Sequence, residues 1–288
     1  MNGFSIKNKA VRLLSCLIVS VCLLSALVGC IPVLNELTKY DDDTDNDVAL
    51  WVNELTTQAM QANFMIKTVS YNVGFQAIGN VTSSAVSSGS GVLFYIGQEK
   101  LFLLTNNHVI AKKSGYKYVT YSVTDYKGNE YDGNVSVVYS DAAYDLAVVA
   151  FEAGSNKEYS PLKLAEGNPI VGTRVAALGS PLQQFNALTL GKVLFYDNVT
   201  LSEEKAGLSD VKFEVIHHDA PINQGSSGGV LLNEQSEIVG INFATAFGQE
   251  SGEFDYGCAV PTDKIKEFLI SAGFGVTEDN KEVTYDKE

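Results

Sequence analysis

The chain has 288 residues, a formal net charge of −14 at pH 7 and only four cysteines. This length suits one domain the size of a double β-barrel, with a short extension. The acidic balance argues against nucleic acid or bare anionic lipid as a partner, because both attract basic surfaces. We therefore expect an acidic globular protein that is stabilised by its apolar core.

The chain begins with a basic segment followed by an apolar one. Three basic residues precede an apolar stretch over residues 13–28, which ends in the string LVGC at Cys30. This order is typical of a secretory signal peptide and not of a membrane-spanning helix. The string also resembles a bacterial lipobox. We expect residues 1–29 to be removed and Cys30 to be acylated, so that a lipid anchor holds the protein on the extracytoplasmic face of a cell membrane. An uncleaved anchor is the alternative.

The cysteines do not predict a disulfide framework. Cys16 and Cys22 would leave with the signal peptide, and Cys30 would carry lipid. Cys258 would then remain alone in the mature monomer, so no internal disulfide could form. Because Cys258 stands among apolar residues, we expect it to pack as a small hydrophobic side chain and not to react.

Residues 30–62 are interpreted as an acidic spacer and a short helix. Aspartates dominate residues 41–47, which is typical of a solvated linker. Apolar side chains then recur at helical spacing over residues 48–62: Val48, Trp51, Leu55 and Ala59. Asp45 or Asp47 is the expected N-cap.

Two successive groups of short apolar segments, separated by turn signals, follow from residue 63. The first group comprises residues 63–73, 91–96, 100–104, 118–124 and 134–139. The second comprises residues 174–178, 189–195, 213–217, 229–232 and 238–244. Helical periodicity returns over residues 262–272.

This order predicts an all-β fold of two packed antiparallel barrels, with a short N-terminal helix and a C-terminal helix. The expected main domain covers residues 63–273, with barrel one at about 63–155 and barrel two at about 160–261. Residues 274–288 are expected to form a polar tail. An active site would lie in the cleft between the barrels.

A cluster of glycine and serine at residues 225–229, reading GSSGG, indicates a nucleophilic serine. Ser227 has a glycine two positions before it and another immediately after it, whereas Ser226 does not. Glycine allows backbone N–H groups to converge, so those of Gly225 and Ser227 could form an oxyanion hole beside the Ser227 hydroxyl. The alternative is a flexible loop between two strands.

Two further strings contain the partners that such a serine needs. His108 lies in the string TNNHV after an apolar run, and Asp145 opens the string DLAVV. The order His, Asp, Ser is the one used by chymotrypsin-type enzymes. Together the three strings resemble trypsin-like peptidases of the HtrA/DegP type, over about residues 86–272. The resemblance implies that His108 is the general base, that Asp145 orients it and that Ser227 is the nucleophile. Asp141 is the alternative aspartate.

The same resemblance implies where a substrate would bind. Asn242, Phe243 and Ala244 would pair with the substrate backbone as an added strand. Ile222 would form part of the specificity pocket, and the absence of an acid beside it disfavours cleavage after Lys or Arg. We expect a preference for small or medium apolar side chains.

The sequence therefore predicts a serine endopeptidase that hydrolyses proteins of the cell envelope or outside the cell through an acyl-enzyme. No cofactor is expected, and no Cys, His and Asp cluster predicts a metal site. The alternative is a catalytically silent protease fold used as a surface binding or adhesion module. Because little sequence follows residue 272, we expect no room for the PDZ domain that usually follows in the HtrA family.

Overall fold

The computed structural model describes residues 45–74, 81–154, 159–181, 184–199, 208–247, 254–277 and 283–285. The predicted signal peptide at residues 1–29, Cys30 and most of the predicted spacer lie outside the described residues. Among the helices of the described stretches, none has the length and apolarity that crossing a membrane requires.

The N-terminal helix, α1, runs over Asp45–Thr57 and is followed by a 3₁₀ turn at Ala59–Ala62. It begins three residues before the predicted start. Its buried side chains lie on the face that the sequence spacing predicts: Val48, Trp51, Leu55 and, in the following turn, Ala59. Burial of this stripe attaches the N-terminal segment to the core, because an isolated helix of this length would be marginal in water.

The first β unit is one antiparallel sheet with the strand order β5-β4-β1-β2-β3-β7-β6. Its strands are β1 Asn63–Val73, β2 Val81–Ile96, β3 Leu101–Thr105, β4 Tyr118–Thr124, β5 Glu130–Tyr131, β6 Ser136–Asp141 and β7 Leu146–Phe151. Two of the strands, β3 and β7, are buried along their whole length and lie side by side, so the hydrophobic core centres on them.

The second unit is a closed antiparallel barrel with the strand order β10-β13-β12-β11-β8-β9. Its strands are β8 Arg174–Gly179, β9 Ala187–Asp197, β10 Val215–His218, β11 Val230–Leu232, β12 Ile238–Phe247 and β13 Phe254–Pro261. The prediction of an all-β double-barrel fold is confirmed. One detail of the prediction differs: among the described residues the first unit is a seven-stranded half-barrel and not a closed six-stranded barrel.

The C-terminal helix, α3, spans Thr262–Ser271 and packs across both units. Its Phe268 is fully buried, and its ring centroid lies 5.4 Å from that of Tyr139 in β6. The segment expected to be a polar tail contains a paired hairpin, β14 at Phe274–Val276 and β15 at Val283–Tyr285. The buried ring of Phe274 stacks on Tyr285 and meets Phe102 edge-on, which attaches the hairpin to the first sheet.

A buried carboxylate organises the turn between β4 and β5. Asp125 accepts hydrogen bonds from the backbone N–H of Lys127 at 2.9 Å and of Asn129 at 2.8 Å, and from the Tyr159 hydroxyl at 2.8 Å. Burial alone would raise the pKa of Asp125, but the hydrogen bonds from Asn129, Tyr159 and Lys127 together hold that pKa below its usual value. The charged form is therefore the one that the fold stabilises.

We predict that Asp125→Asn lowers the free energy of unfolding by about 2 kcal/mol at neutral pH, because hydrogen bonds to a charged acceptor are lost. The folded pKa lies below the unfolded one. The contribution of the Asp125 carboxylate to the free energy of unfolding is therefore complete above the ordinary aspartate pKa. It is lost as the pH falls through the pKa that Asp125 has in the folded protein. The difference between wild type and variant should narrow on acidification, as measured by urea unfolding at a series of pH values. The exposed Asp132 provides the control substitution, Asp132→Asn, and a difference for Asp125→Asn that is constant with pH would contradict the prediction.

Candidate active site

His108 lies on a one-turn helix, α2 (Asn107–Ile110), at the end of the fully buried strand β3. The strand fixes the approach of the chain, and Val109 and Ile110 bury the inner side of the turn. The imidazole stays near the surface, with 14% of its side chain exposed. The apolar run before the histidine therefore places a titratable ring at the rim of the core, where a substrate could reach it.

Asp145 is fully buried at the start of β7 and holds His108 with both carboxylate oxygens. Its Oδ2 lies 2.7 Å from His108 Nδ1, and its Oδ1 accepts the backbone N–H of His108 at 3.0 Å. A carboxylate can only accept, so Nδ1 carries a proton and Nε2 remains as the basic nitrogen of the neutral ring. Asp141 instead accepts the N–H of Ala143 and caps the turn before β7.

The backbone at Asp145 is itself unusual. Its φ is +50°, a left-handed conformation that aspartate and asparagine tolerate better than other side chains do. The turn is closed by the Asp145 N–H, which donates to the Ala142 carbonyl at 3.2 Å, and Asn106 Nδ2 donates to the Asp145 carbonyl at 2.9 Å. Asn106 is fully buried, so this amide holds the aspartate from the β3 side. This role of Asn106 is not predicted by the sequence, although the residue belongs to the TNNHV string.

Ser227 follows a tight turn in which the Ser226 N–H donates to the Asn223 carbonyl at 2.8 Å. Gly225 has a φ of +96°, as the third residue of a type II turn requires. Ser226 is buried, and its hydroxyl accepts the Asn223 N–H at 3.1 Å. The Ser227 residue is partly exposed. The two adjacent serines therefore differ: the Ser226 hydroxyl supports the turn, whereas Ser227 is partly open to solvent.

The Ser227 turn lies against the first sheet at Gly89 and Ser90 of β2. The Ser90 N–H donates to the Ser227 carbonyl at 2.7 Å, and the Ser90 hydroxyl donates to the Gly225 carbonyl at 2.7 Å. A Cβ placed on Gly89 would lie 2.6 Å from Val109 Cγ2 and 2.9 Å from the Ser227 carbonyl oxygen. The residue that follows His108 and the backbone of Ser227 therefore meet at one glycine.

A cavity of about 200 Å³ opens beside the Ser227 turn, in the second barrel. Its walls are mainly apolar and include Ile222, Ser226 and Asn242. Phe243 is buried in the core, where the register of β12 against β13 shifts, and Ala244 is partly buried. Of the four residues predicted to bind substrate, Ile222 and Asn242 line this cavity, whereas Phe243 and Ala244 are not among its lining residues.

Comparison with known proteins gives one family and a consistent set of relatives. Residues 89–241, more than half of the chain, match the model of the trypsin-like peptidase domain. The chain is 36% identical over 191 residues to the putative serine protease HhoA of Synechocystis sp., covering 66% of this chain and 44% of that protein. It is 33% identical over 192 residues to the serine protease Do-like HtrA of Bacillus subtilis, covering 65% and 40% respectively.

The fold comparison agrees with the sequence relatives. A solved structure of the HtrA-type protease AlgW with a tripeptide superposes with a TM-score of 0.56 at 26% identity. The superposition covers 77% of this chain and 62% of that one. The chain spans less than half the length of the two curated relatives above.

We predict that Gly89→Ala destabilises the protein by about 1–3 kcal/mol, because the added methyl group would overlap Val109 and the Ser227 backbone in a packed interior. Urea unfolding provides the measurement. Gly133→Ala is the matched control, since a Cβ there would meet nothing within 4 Å. Equal stabilities for the two variants would mean that the contact at Gly89 is loose and does not hold the units together.

Proposed function

The chain belongs to the trypsin-like peptidase family, and we propose that it is a serine endopeptidase of the HtrA type that acts through Ser227, His108 and Asp145. The observation that carries the proposal is the contact between His108 and the buried Asp145, at 2.7 Å. Because this contact occupies Nδ1 of His108, Nε2 is left as the basic nitrogen of the proposed general base.

The proposed reaction follows from these groups. Ser227 Oγ attacks the carbonyl carbon of the scissile peptide bond while its proton moves to His108 Nε2. Asp145 stabilises the imidazolium that results. The tetrahedral intermediate then collapses: the C–N bond breaks, and the imidazolium gives its proton to the leaving amine. Water, deprotonated by the same nitrogen, attacks the acyl-enzyme ester and releases the new carboxyl end and free Ser227.

Gly225 and Ser227 are proposed to supply the oxyanion hole. Among the described residues, neither backbone N–H donates a hydrogen bond to another protein group. The carbonyl of Gly225 is held by the Ser90 hydroxyl, and that of Ser227 by the Ser90 N–H. The Ser227 N–H shares a peptide unit with the Ser226 carbonyl, which accepts the Gly229 N–H at 2.8 Å, so the direction of that donor is fixed. Two preorganised donors of this kind are usually the largest single contribution to acyl transfer.

Proteins or peptides are the proposed substrates. The apolar cavity beside Ser227, with Ile222 and Asn242 in its wall, would take a small or medium apolar side chain on the acyl side of the bond. The backbone of β12 at Phe243 and Ala244 would pair with the substrate chain, whereas the N–H and carbonyl of Asn242 are already bonded to Gly229 and Gly228. The similarity to Do-like and HtrA-type proteases supports this assignment.

We also propose that the enzyme works outside the cytoplasm on envelope or extracellular proteins and is held at the membrane by lipid on Cys30. The sequence of residues 1–30 supports this, as does the similarity of the chain to the periplasmic serine endoprotease DegP of Salmonella typhimurium, at 30% identity. A lipid anchor would keep the active site near the membrane surface without a spanning helix.

Covalent labelling tests the catalytic proposal. A fluorophosphonate probe should label the wild type at Ser227, because the activated hydroxyl attacks phosphorus as it would a carbonyl. Ser227→Ala should not label, and His108→Ala should label far more slowly. Asp145→Asn should lower peptide turnover by about 10³–10⁴-fold, because the wrong imidazole tautomer would be favoured.

Ser140→Ala, which changes an exposed serine of β6 outside the proposed site, provides the control for this experiment. It should keep its labelling. A wild type that labels under no condition, or that labels at Ser226, would contradict the proposal. The first of these outcomes would support a protease fold that serves as a surface binding module.

A separate experiment tests the anchor. Cys30→Ala should move the protein from the membrane fraction to the soluble fraction of the producing cells and abolish incorporation of labelled palmitate, because the thiol that carries the lipid is gone. Cys258→Ala, which changes a buried cysteine of the barrel, is the control. Retention of the Cys30→Ala variant in the membrane would contradict the lipoprotein assignment.

A further inference from the structure

A buried histidine lies behind the wall of the cavity beside Ser227. His218 ends strand β10, is fully buried and has Nε2 3.0 Å from the Oδ1 atom of Asn242. Among the described residues, its Nδ1 has no partner with good hydrogen-bond geometry, although the backbone of Ala220 lies close enough to favour the charged ring. A buried polar atom without a partner is costly, and an apolar side chain of the same size would avoid that cost. The position therefore calls for an explanation other than stability.

The contact with Asn242 fixes the protonation of the ring. Asn242 Nδ2 donates to the Val230 carbonyl at 3.4 Å, which leaves Oδ1 facing His218. An amide oxygen only accepts, so His218 Nε2 must carry the proton. Burial lowers the pKa of His218 to about 4, although the bond to Asn242, the charge of Asp219 and the backbone of Ala220 act in the opposite direction. The ring is therefore neutral at neutral pH and donates one directed hydrogen bond.

The ring also supports Ile222. Gly257 of the neighbouring strand β13 lies directly opposite His218 in the sheet. A Cβ on Gly257 would lie 2.7 Å from His218 Nε2 and 2.8 Å from Ile222 Cδ1. The imidazole and the end of the isoleucine side chain therefore share the space that a side chain at residue 257 would take. The imidazole therefore stands beside the end of the Ile222 side chain.

The backbone of Asn242 is already fixed on the Ser227 turn. Its N–H donates to the Gly229 carbonyl at 2.9 Å, and its carbonyl accepts the Gly228 N–H at 2.8 Å. The orientation of its side-chain amide is then the remaining variable at this part of the cavity wall. His218 provides the shortest hydrogen bond to that amide, and the bond to Val230 is longer.

We propose that His218 is the positioning residue that sets which substrate side chain the cavity accepts. Through Nε2–H it holds the Asn242 amide in one orientation, and through its ring it keeps Ile222 in place, so that small and medium apolar side chains are favoured over aromatic ones. The inference rests on the proposed peptidase function and names a residue that acts on specificity through two others.

A pair of peptides that differ only in the residue before the cut, valine or phenylalanine, tests the inference. The His218→Ala variant leaves space behind Ile222, so the ratio of kcat/KM for the phenylalanine peptide to that for the valine peptide should rise about ten-fold or more. His218→Leu fills the space without a donor and should weaken selectivity by raising KM for the valine peptide. His218→Gln, whose amide N–H can still reach Asn242, should restore the wild-type ratio.

His217→Gln is the matched control, because His217 is the strand neighbour and stacks on Phe195 with ring centroids 4.4 Å apart, on the opposite face of the strand. Its ratio should equal that of the wild type. The rate of fluorophosphonate labelling, which involves no peptide side chain, reports whether each variant keeps a folded site. If His218→Ala does not fold, the inference is tested by comparing the peptide ratio of His218→Leu with that of His218→Gln.

The outcomes separate the two proposals. A wild type that neither labels nor cleaves either peptide would overturn the proposed function. A wild type that cleaves, with an unchanged peptide ratio in every His218 variant that still labels, would overturn the inference alone. A changed ratio in His218→Leu that His218→Gln restores would support it.

Discussion

The arrangement of the cleft depends on one buried serine of the first sheet. Ser90 uses its N–H, its carbonyl and its hydroxyl at the same junction, with the Ser227 carbonyl, the Thr105 hydroxyl and the Gly225 carbonyl as partners, each at 2.7 Å. The hydroxyl also accepts the Ser180 N–H at 2.8 Å. On one side Ser90 pairs with Met65 of β1, but on the other side β3 pairs with β2 only from Val92 onward. On that open side the Ser227 turn of the second barrel accepts the Ser90 N–H. Such bonds contribute little each but are costly to leave unmade in the interior, so the Ser227 turn cannot shift independently of the first sheet.

The strands that the sequence predicts well are those whose own side chains decide the structure. Apolar and polar side chains alternate over residues 118–124, and buried and partly exposed side chains alternate over most of residues 63–73; β4 and β1 have those bounds. Strand β2 begins ten residues earlier than predicted, because pairing with β1 overrides the serine-rich composition of its first half. Strand β13 was not predicted at all. Glycine usually weakens a strand, so Gly257 argues against one in the sequence. In β13 it is accommodated because the His218 ring lies where a side chain at residue 257 would begin.

The same distinction applies to the candidate site. A histidine and an aspartate 37 residues apart could be assigned from their strings, and they are in direct contact. Their supports could not be assigned from the sequence. Ser90, Gly89 and His218 are recognisable only when two units of the fold meet, since each acts through a neighbour that is distant along the chain. Sequence pattern reports on local structure and on the residues that react, whereas the groups that hold those residues depend on tertiary packing.

Several features near the candidate site lower the stability of the fold. Within the described part of the chain, the buried atoms Asn106 Oδ1 and His218 Nδ1 have no partner with good hydrogen-bond geometry, and they belong to residues that bond to Asp145 and Asn242. Asp145 itself has a backbone conformation that most side chains avoid. Apolar replacements at the two unpartnered positions would relieve a desolvation cost but remove the hydrogen bond that orients the neighbour. Since the buried apolar core of both units supplies the stability that offsets these costs, the protein can keep polar groups where orientation matters more than stability.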